Sequence, residues 1–387
     1  MILKRHRKFL VIVLGLTVLI WHLNVQAQDI NSHPSSNRKQ PVIVDIVVDQ
    51  YEHGEMIPFL LDNNGNVWAF RDLLREHENP IKLKNLRNIK ELAPYIAVDK
   101  DGQVFTWALN DKKSNLPVLD EEGKTKAVYT IPKRVKGIKN ATHIAYSDYH
   151  FVVVQDDKDI VEWNAIPSQN KFGLQTYTPI RKVYSREGVK KIAITGSSII
   201  ALYNDGKILG WGLSPTGQTR KDAAGKEISF DVANAVDVYL NKFHTVVLTK
   251  DGKVIYFGGC DLDGEDFNGK SSPHWGEING AIGLVTDVTA MAMQKNDNWF
   301  PDAFLKKDGS VCVAYAPVPL GVKDNGCGDK AAISKGPRCL DSLVPVIKVV
   351  TGNNRWILAL GKEHQLLRPY YSGSSAELTE RNINLEE

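Results

Sequence analysis

The chain has 387 residues, of which 43% are hydrophobic and 24% are charged, and its 48 Lys and Arg residues nearly balance 45 Asp and Glu residues. This balance excludes the strongly basic composition that is typical of nucleic-acid-binding domains. A chain of this length would ordinarily suggest two domains.

The first 27 residues have the three-part pattern of a secretory signal peptide. Four cations within residues 4–8 precede an apolar stretch from Phe9 to Leu23, and Val25 and Ala27 supply small residues before a cleavage site. The apolar stretch spans about 15 residues, fewer than the roughly 20 that a membrane-spanning helix needs. An uncleaved N-terminal anchor is the alternative. In both cases the rest of the chain leaves the cytoplasm, and we expect a periplasmic or secreted protein.

Loss of this segment removes four of the 48 cations and leaves 44 against 45 acidic residues. The mature protein is therefore nearly neutral, and we expect no nucleic-acid partner and no membrane contact beyond the signal peptide. Residues 28–40 are polar and predict a flexible lead-in, whereas residues 372–387 predict a polar C-terminal tail. The segment between them, residues 41–371, carries the repeats.

Seven times in this segment a short apolar run enters a tight turn and leaves as a second apolar run, as in "YIAVDKDGQVFTWA" and "IALYNDGKILGWG". The seven turn positions are Gly65, Gly102, Lys158, Gly206, Gly252, Gly309 and His364. Asp-Gly and Asn-Gly pairs between apolar runs predict β-hairpins, because glycine tolerates the positive φ of the turn. Spacings of 37 to 57 residues are typical of propeller blades rather than of helical solenoids.

A further β-rich run precedes each hairpin and predicts an inner strand. These runs read VIVDIVVD, NIKELA, THIAYS, VKKIAITG, AVDVYLN, VTAMAM and VIKVVTG. Segments such as TIPKRV and YTPIRKV predict a fourth, outer strand, which completes a blade. The fold class is therefore all-β, a seven-bladed β-propeller that absorbs the whole length as one domain. We expect the N-terminal strand, near residues 40–44, to close the ring as the outer strand of the seventh blade, since open edges invite aggregation.

The pattern of the repeat is a strand, the motif Gly-x-x-His, a second strand and the motif Asp-Gly-x-Val-x-x-Trp. This pattern resembles the repeat of the regulator-of-chromosome-condensation family. The resemblance covers residues 42 to about 370 and is best in "VYLNKFHTVVLTKDGKVIYFGG" and the two preceding copies. It implies a seven-bladed propeller, in this case an exported, bacterial-type member of the family. His150 and His244 stand at the position of the family's histidine. We interpret them as hydrogen-bonding residues that fix a strand entry, not as catalytic or metal-binding residues.

The tryptophans at the hairpin ends and the four cysteines have structural interpretations. Trp107, Trp163 and Trp211 are expected to pack between blades. Export into an oxidising compartment permits disulfides among Cys260, Cys312, Cys327 and Cys339, for which three connectivities are possible. We favour Cys327 with Cys339, which share one interblade loop, and Cys260 with Cys312.

No motif of a catalytic nucleophile, a zinc site or a phosphate-binding loop is present, so the sequence predicts a protein that is not an enzyme and has no cofactor and no metal. The segment CDLDGEDFNG places four carboxylates within residues 261–266. Calcium binding there is an alternative, although the glycine spacing differs from that of a helix-loop-helix calcium site.

Aromatic residues recur in the loops between the inner strand and the next strand. They are Tyr51, Tyr149, Phe243, Trp299, Phe300 and Trp356. Equivalent loops of a closed propeller emerge on one face, and aromatic side chains are enriched at binding interfaces. The alternative is that each aromatic residue folds inward as core.

The leading hypothesis is therefore a monomeric, non-catalytic propeller that binds a protein or other macromolecule through this aromatic face and through long interblade loops. One alternative is a propeller lyase or hydrolase that acts on an envelope polysaccharide or small molecule in the central funnel. The other is guanine-nucleotide exchange, which the family name suggests for nuclear members and which export argues against.

Overall fold

The structure is a computed structural model. It describes residues 41–50, 56–70, 79–108, 131–166, 176–196, 198–212, 228–240, 245–257, 275–277, 287–293, 303–313, 338–342, 344–352, 357–372 and 375–381, together with residues 383 and 385. Every regular element in these ranges is a β-strand. The same ranges contain no helix with the length and hydropathy needed to cross a membrane. The predicted signal peptide and lead-in lie outside the described residues.

The strands of the first four blades follow one another in chain order. Blade 1 contains β1 (Ile43–Gln50), β2 (Met56–Asp62), β3 (Val67–Ala69) and β4 (Ile81–Lys82). Blade 2 contains β5 (Ile89–Ala93), β6 (Ile96–Asp99), β7 (Val104–Thr106) and β8 (Lys133–Arg134). Blade 3 contains β9 (Ala141–Ser147), β10 (His150–Gln155), β11 (Asp159–Ile166), β12 (Thr176–Tyr177) and β13 (Arg181–Ser185). Blade 4 contains β14 (Val189–Thr195), β15 (Ser198–Tyr203), β16 (Lys207–Trp211) and β17 (Ile228–Asp231).

The last three blades repeat this order. Blade 5 contains β18 (Ala235–Leu240), β19 (Thr245–Thr249), β20 (Val254–Phe257) and β21 (Trp275–Glu277). Blade 6 contains β22 (Val288–Ala292), β23 (Ala303–Lys306), β24 (Val311–Val313) and β25 (Arg338–Ser342). Blade 7 contains β26 (Val346–Thr351), β27 (Ile357–Gly361), β28 (Leu366–Ser372) and β29 (Ser375–Arg381). All neighbours within a blade are antiparallel, and β25 pairs in parallel with β29 across blades 6 and 7.

Each blade packs against the next, and blade 7 packs against blade 1 through β26 and β1. The predicted all-β, seven-bladed propeller is thus confirmed. All seven predicted inner strands are the first strands of their blades.

The turn glycines have the predicted positive φ, for example 76° at Gly65 and 72° at Gly102. They also touch the start of the next blade, since a β-carbon on Gly102 would lie 2.8 Å from the nitrogen of Ala141. The amide of Ala141 donates a 3.0 Å hydrogen bond to the Gly102 carbonyl. Glycine at these turns therefore serves the contact between blades as well as the hairpin.

Two of the seven turn positions, Lys158 and His364, lack glycine, and the positive φ of the turn is achieved there in other ways. In blade 3 the positive φ angles fall on Asp156 (54°) and Asp157 (56°), which together with Lys158 form the three-residue connection between β10 and β11. In blade 7 His364 itself has a φ of 69°. Short polar side chains tolerate this region better than other residues, whereas His364 is held there by a contact described below.

The three predicted packing tryptophans are buried, as expected. Trp107 (1% exposed) and Trp163 (2%) belong to one apolar cluster that joins blades 1, 2 and 3. Trp211 belongs to a second cluster, which joins blades 3 and 4. The hairpin-end aromatics therefore provide much of the apolar surface that holds neighbouring blades together.

Closure of the ring differs from the prediction. The N-terminal strand β1 pairs with β2 as the innermost strand of blade 1, and the outer strand of blade 7 is β29. Residues 372–387, predicted as a polar tail, therefore contain a strand. An inner strand is covered on both faces and needs the apolar sequence of β1, whereas an outer strand such as Ser375–Arg381 can be polar on its exposed face.

Blades 1 and 7 also share a core. Ile43, Leu60 and Phe70 of blade 1 form one apolar cluster with Leu358 and Leu366 of blade 7. His364 Nδ1 lies 2.8 Å from the carbonyl oxygen of Ile43, and Lys348 forms an ion pair with Asp45. Beyond β29, Ile383 and Leu385 pack on the same cluster. The two ends of the described chain therefore meet in one interface.

The favoured cysteine pairing is wrong. The structure joins Cys312 to Cys339, which stand directly opposite each other on the neighbouring strands β24 and β25. Residues at paired positions of adjacent antiparallel strands bring their β-carbons close, and a shared loop does not ensure this. Cys260 and Cys327 lie outside the described residues.

Candidate functional site

The predicted binding face lies at the loops that connect the first and second strands of the blades. Of its six predicted residues the structure describes Tyr149. The other five, namely Tyr51, Phe243, Trp299, Phe300 and Trp356, lie outside the described residues, as do His244 and the carboxylates of residues 261–266. The site is therefore built here from blades 1 to 4.

Tyr149 sits in a two-residue turn between β9 and β10. Its φ is 67° and that of Asp148 is 48°, the conformation of a tight hairpin turn. The side chain of Tyr149 is partly exposed and packs against the cluster of blades 1 to 3, whereas Asp148 is exposed. The carbonyl of Tyr149 accepts a 2.8 Å hydrogen bond from the amide of Ala165, which fixes the loop to β11.

Two further tyrosines, which the sequence analysis did not assign to the face, extend it towards blade 1. Tyr95 (φ 60°) follows Pro94 in the two-residue turn between β5 and β6. Its ring centroid lies 5.3 Å from that of Tyr146 on β9 and 5.2 Å from that of Phe59 on β2. We call Tyr95, Tyr146, Tyr149 and the adjacent Asp49 and Asp148 the tyrosine rim.

The electrostatics of the rim are acidic. Burial raises the pKa of Tyr146 well above its ordinary value, and the negative charge of Asp49 raises it further. Tyr146 is therefore neutral throughout the physiological range. Tyr95 (5% exposed), Tyr146 (7%) and Asp49 (6%) are buried, so Tyr149 and Asp148 are the members of the rim that reach the surface.

His150, at the start of β10, joins blade 3 to blade 4. Its Nδ1 lies 2.8 Å from the carbonyl oxygen of Gly196, and its Nε2 lies 2.8 Å from Oε2 of Glu162. Both partners are hydrogen-bond acceptors, one a carbonyl oxygen and the other a carboxylate oxygen. Both ring nitrogens are occupied, and the predicted structural role of this histidine in the repeat is confirmed.

Glu162 on β11 is the buried centre of this arrangement, with an exposed fraction of 4%. Burial alone would raise its pKa, but the hydrogen bond and charge of His150, together with those of Arg181, lower the pKa of this carboxyl group below its ordinary value. Arg181 on β13 donates from Nε to Glu162 Oε1 and leaves most of its own side chain in solvent. The carboxylate is therefore ionised and compensated on two sides.

The loop of blade 4 is locked to the same place. The amide of Gly196 lies 3.3 Å from both Ser147 Oγ and Asp148 Oδ2. Ser147 in turn donates a 2.8 Å hydrogen bond to Asp148. These bonds fix Asp148, and with it the turn that carries Tyr149, against blade 4, which suits recognition by a preorganised site.

The inner strands carry a second set of polar residues, which was missed in the sequence. These residues stand two positions after the start of the first strand of each blade. In blade order they are Asp45, Glu91, His143, Lys191, Asp237, Ala290 and Lys348, and all but Ala290 are polar. Neighbours in this ring pair across blades, as with His143 and Glu91 (3.6 Å) or Lys191 and Asp237 (3.5 Å).

Backbone amides in the first strands need hydrogen-bond acceptors, and this need accounts for the acidic residues of the ring. The first strand of each blade has a register shift at this point, for example between Ile89 and Glu91. A bulge leaves an amide without a partner in the ladder. The amide of Ile144 donates to Glu91 Oε1 (3.1 Å), and that of Met291 donates to the hydroxyl of Tyr239 (3.1 Å). The ring therefore satisfies the backbone, and within the described residues no group of three or more His, Cys, Asp and Glu residues is arranged to hold a metal ion.

Comparisons with known proteins agree with this fold. No protein-family model matches the chain. The human protein described as "Probable E3 ubiquitin-protein ligase HERC6" is 28% identical over 180 residues, which cover 42% of this chain and 17% of HERC6. This chain thus corresponds to less than a fifth of that relative.

Among solved structures, human WBSCR16 is 15% identical and superposes with a TM-score of 0.51 over 83% of this chain and 87% of WBSCR16. Yeast RCC1 (Prp20), solved with Kap60, is also 15% identical, with a TM-score of 0.45 over 89% of this chain and 75% of Prp20. The likeness to WBSCR16, together with the seven blades and the contact between blades 7 and 1, agrees with a β-propeller fold.

Proposed function

We propose that this chain is an exported, non-catalytic propeller that binds a protein partner through the tyrosine rim. The observation that carries the proposal is the partly exposed Tyr149, which is held in a tight turn and packs on the cluster that contains the touching, buried pair Tyr95 and Tyr146. An aromatic side chain that is fixed in place before binding offers contact area at little entropic cost.

The N-terminal pattern of cations, apolar stretch and small residues supports export, and with it a periplasmic or secreted location. Scaffold loops of differing length on a repeated core support recognition, because binding residues are concentrated on loops held by a rigid framework. The engagement of both nitrogens of His150 supports a structural rather than a catalytic histidine. Neither the lyase or hydrolase alternative nor nucleotide exchange gains a supporting feature in the described residues.

Site-specific photocrosslinking tests the proposal. A photoreactive phenylalanine analogue in place of Tyr149 is expected to crosslink a defined protein in the native host, to be identified by mass spectrometry. The same analogue in place of Lys250, an exposed residue on a turn of blade 5, is the control. The purified partner should then bind the Tyr149→Ala variant at least about tenfold more weakly than the wild type, as for an aromatic hot spot.

Two results would contradict this function. Equal crosslinking from positions 149 and 250 would show that the rim is not a preferred contact. Retention of the protein in the cytoplasmic fraction would refute the exported location and would leave rim binding to be tested by itself.

A further inference from the structure

A second surface with unusual chemistry lies on the outer side of blades 2 and 3. Five large apolar side chains are exposed among the described residues, and three of them are here. Ile131 (59% exposed) precedes β8, Tyr177 (44%) belongs to β12, and Ile180 (37%) precedes β13. Ile180 reaches blade 2, since a β-carbon on Gly137 would lie 4.0 Å from its Cδ1.

Cations flank these apolar side chains. Lys133 and Arg134, which make up β8, are both exposed. On the blade 3 side, Arg181 and Lys182 have side-chain exposures of 78% and 55%. Arg181 and Lys182 pair with Glu162 and Asp159, whereas no carboxylate of the described residues forms an ion pair with Lys133 or Arg134. We call Ile131, Lys133, Arg134, Tyr177 and Ile180 the lateral patch, and within the part of the chain that the structure describes its positive charge is not compensated.

The lateral patch also contains the outermost described strand of blade 2. The strand order of blade 2 is β5-β6-β7-β8, so β8 pairs with β7 on one side and is the last described strand on the other. Cations on an edge strand protect it against non-specific pairing. Exposed apolar side chains beside the same edge have the opposite effect, because they favour association. Protection of the edge therefore accounts for the cations but not for Ile131, Tyr177 and Ile180.

We propose that the lateral patch binds an extended acidic segment of a partner protein, which adds alongside β8. Carboxylates of such a segment would pair with Lys133 and Arg134, and its alternate apolar side chains would cover Ile131 and Ile180. Strand addition uses the main chain for affinity and the alternating side chains for specificity. The cations disfavour basic strands, so the edge is selective.

The strand edge at β8, which pairs with no further strand among the described residues, distinguishes this partner from an anionic lipid surface. A lipid headgroup offers charge but no main chain to pair with β8, whereas an extended peptide matches the charge, the apolar side chains and the edge. The proposal is independent of the tyrosine rim, because it uses other residues and another side of the blades.

Fluorescence polarisation with a defined probe tests the lateral patch. The probe is a labelled synthetic peptide in which Glu and Val alternate, and a peptide of alternating Lys and Val is its counterpart. The wild-type protein is expected to bind the acidic peptide and not the basic one. The double variant Lys133→Glu/Arg134→Glu is expected to weaken binding at least about tenfold, since two attractive contacts become repulsive. Ile180→Ser is expected to weaken it as well.

The matched control is Lys250→Glu/Lys307→Glu, which makes the same change of charge at exposed turn residues of blades 5 and 6 and should leave the affinity unchanged. Circular dichroism verifies that both double variants are folded. Equal losses in the two double variants would overturn the proposal in favour of general charge attraction. Binding to vesicles that contain phosphatidylserine, lost in Lys133→Glu/Arg134→Glu and without any peptide binding, would overturn it in favour of a membrane. Tyr149→Ala should bind the peptide like the wild type.

Discussion

At the scale of single residues, the turn glycines meet two separate requirements. Gly102 has a φ of 72°, and a β-carbon on it would lie 2.7 Å from Cα of Asn140 in the next blade. Gly196 has a φ of 49°, but a β-carbon there would meet nothing within 4 Å. Substitution of Gly196 by alanine therefore measures the free-energy cost of the positive φ alone. The same substitution at Gly102 adds the cost of the contact between blades.

Gly102→Ala is expected to lower the free energy of unfolding by at least about 2 kcal/mol, because the positive φ and the contact with Asn140 both oppose the added methyl group. Gly196→Ala is expected to cost about 1 kcal/mol, the conformational part alone. Urea denaturation of both variants gives the comparison. Equal losses would show that the backbone of blade 2 yields to the methyl group without strain.

The charge of Glu162 makes stability depend on pH. Its pKa is lower in the folded state, so the interactions with His150 and Arg181 stabilise the fold above the unfolded pKa of about 4.3 and are lost as the pH falls through the folded value. Glu162→Gln should therefore destabilise the protein by about 2 kcal/mol at pH 7. The difference from the wild type should shrink below about pH 4, where Glu162 itself becomes protonated. Denaturation curves of the wild type and Glu162→Gln at pH 7 and pH 3 measure this difference in the free energy of unfolding. The same difference at both pH values would contradict the lowered pKa.

At the scale of strands, the register of β24 and β25 decides the disulfide. Cys312 and Cys339 are directly opposed, so a non-reduced tryptic digest is expected to contain residues 308–323 linked to residues 339–348. Mass spectrometry before and after reduction identifies this species. A link between residues 324–330 and 339–348 would instead restore the pairing of Cys327 with Cys339.

The outer strand β29 tests how a polar segment stabilises blade 7. Leu378 is 3% exposed and belongs to the cluster of blades 6 and 7, whereas Glu377 beside it is exposed. Leu378→Ala is expected to cost about 2–4 kcal/mol, since it leaves a cavity in that cluster. Glu377→Ala, on the other face of the strand, should change stability by less than about 0.5 kcal/mol. Thermal unfolding of the two variants makes the comparison, and similar melting temperatures would mean that β29 is not held by its apolar face.

These elements show which parts of the fold the sequence could reveal. The hairpins were predictable because Asp-Gly and Asn-Gly turns are local signals between apolar runs. The strand β29 was not, because its pairing with β28 relies on the backbone and on one buried leucine within a polar sequence. The disulfide depends on strand register, which spacing along the chain does not specify.

The tyrosine rim, like the fold, contains residues that the sequence could reveal and residues that it could not. Tyr149 was predictable because it lies in a loop at a repeated position. Tyr95 was missed because the loop of blade 2 is only Pro94 and Tyr95, so that the aromatic residue reads as part of a strand. Tyr146 lies on β9 itself, and the influence of Asp49 of blade 1 on it follows from the apolar cluster that blades 1, 2 and 3 share. Such proximity between blades requires the three-dimensional structure.

At the scale of the whole molecule, the closed ring should make blades 1 and 7 unfold together. In an open array each repeat contacts its neighbours alone, and a local defect stays local. Here Leu358 of blade 7 is buried in the cluster that contains Ile46 and Phe70 of blade 1, so a defect at Leu358 reaches both ends of the chain.

Leu358→Ala is therefore expected to speed amide hydrogen exchange in β1 about as much as in β27, because both strands lose the same core contact. The matched control is Val247→Ala in blade 5, which removes a buried aliphatic side chain from the cluster of blades 4 and 5 and should leave β1 protected. Exchange followed by mass spectrometry resolves the strands. Faster exchange confined to blade 7 in Leu358→Ala would contradict a closed, cooperative ring, since the shared core would then contribute nothing to the stability of blade 1.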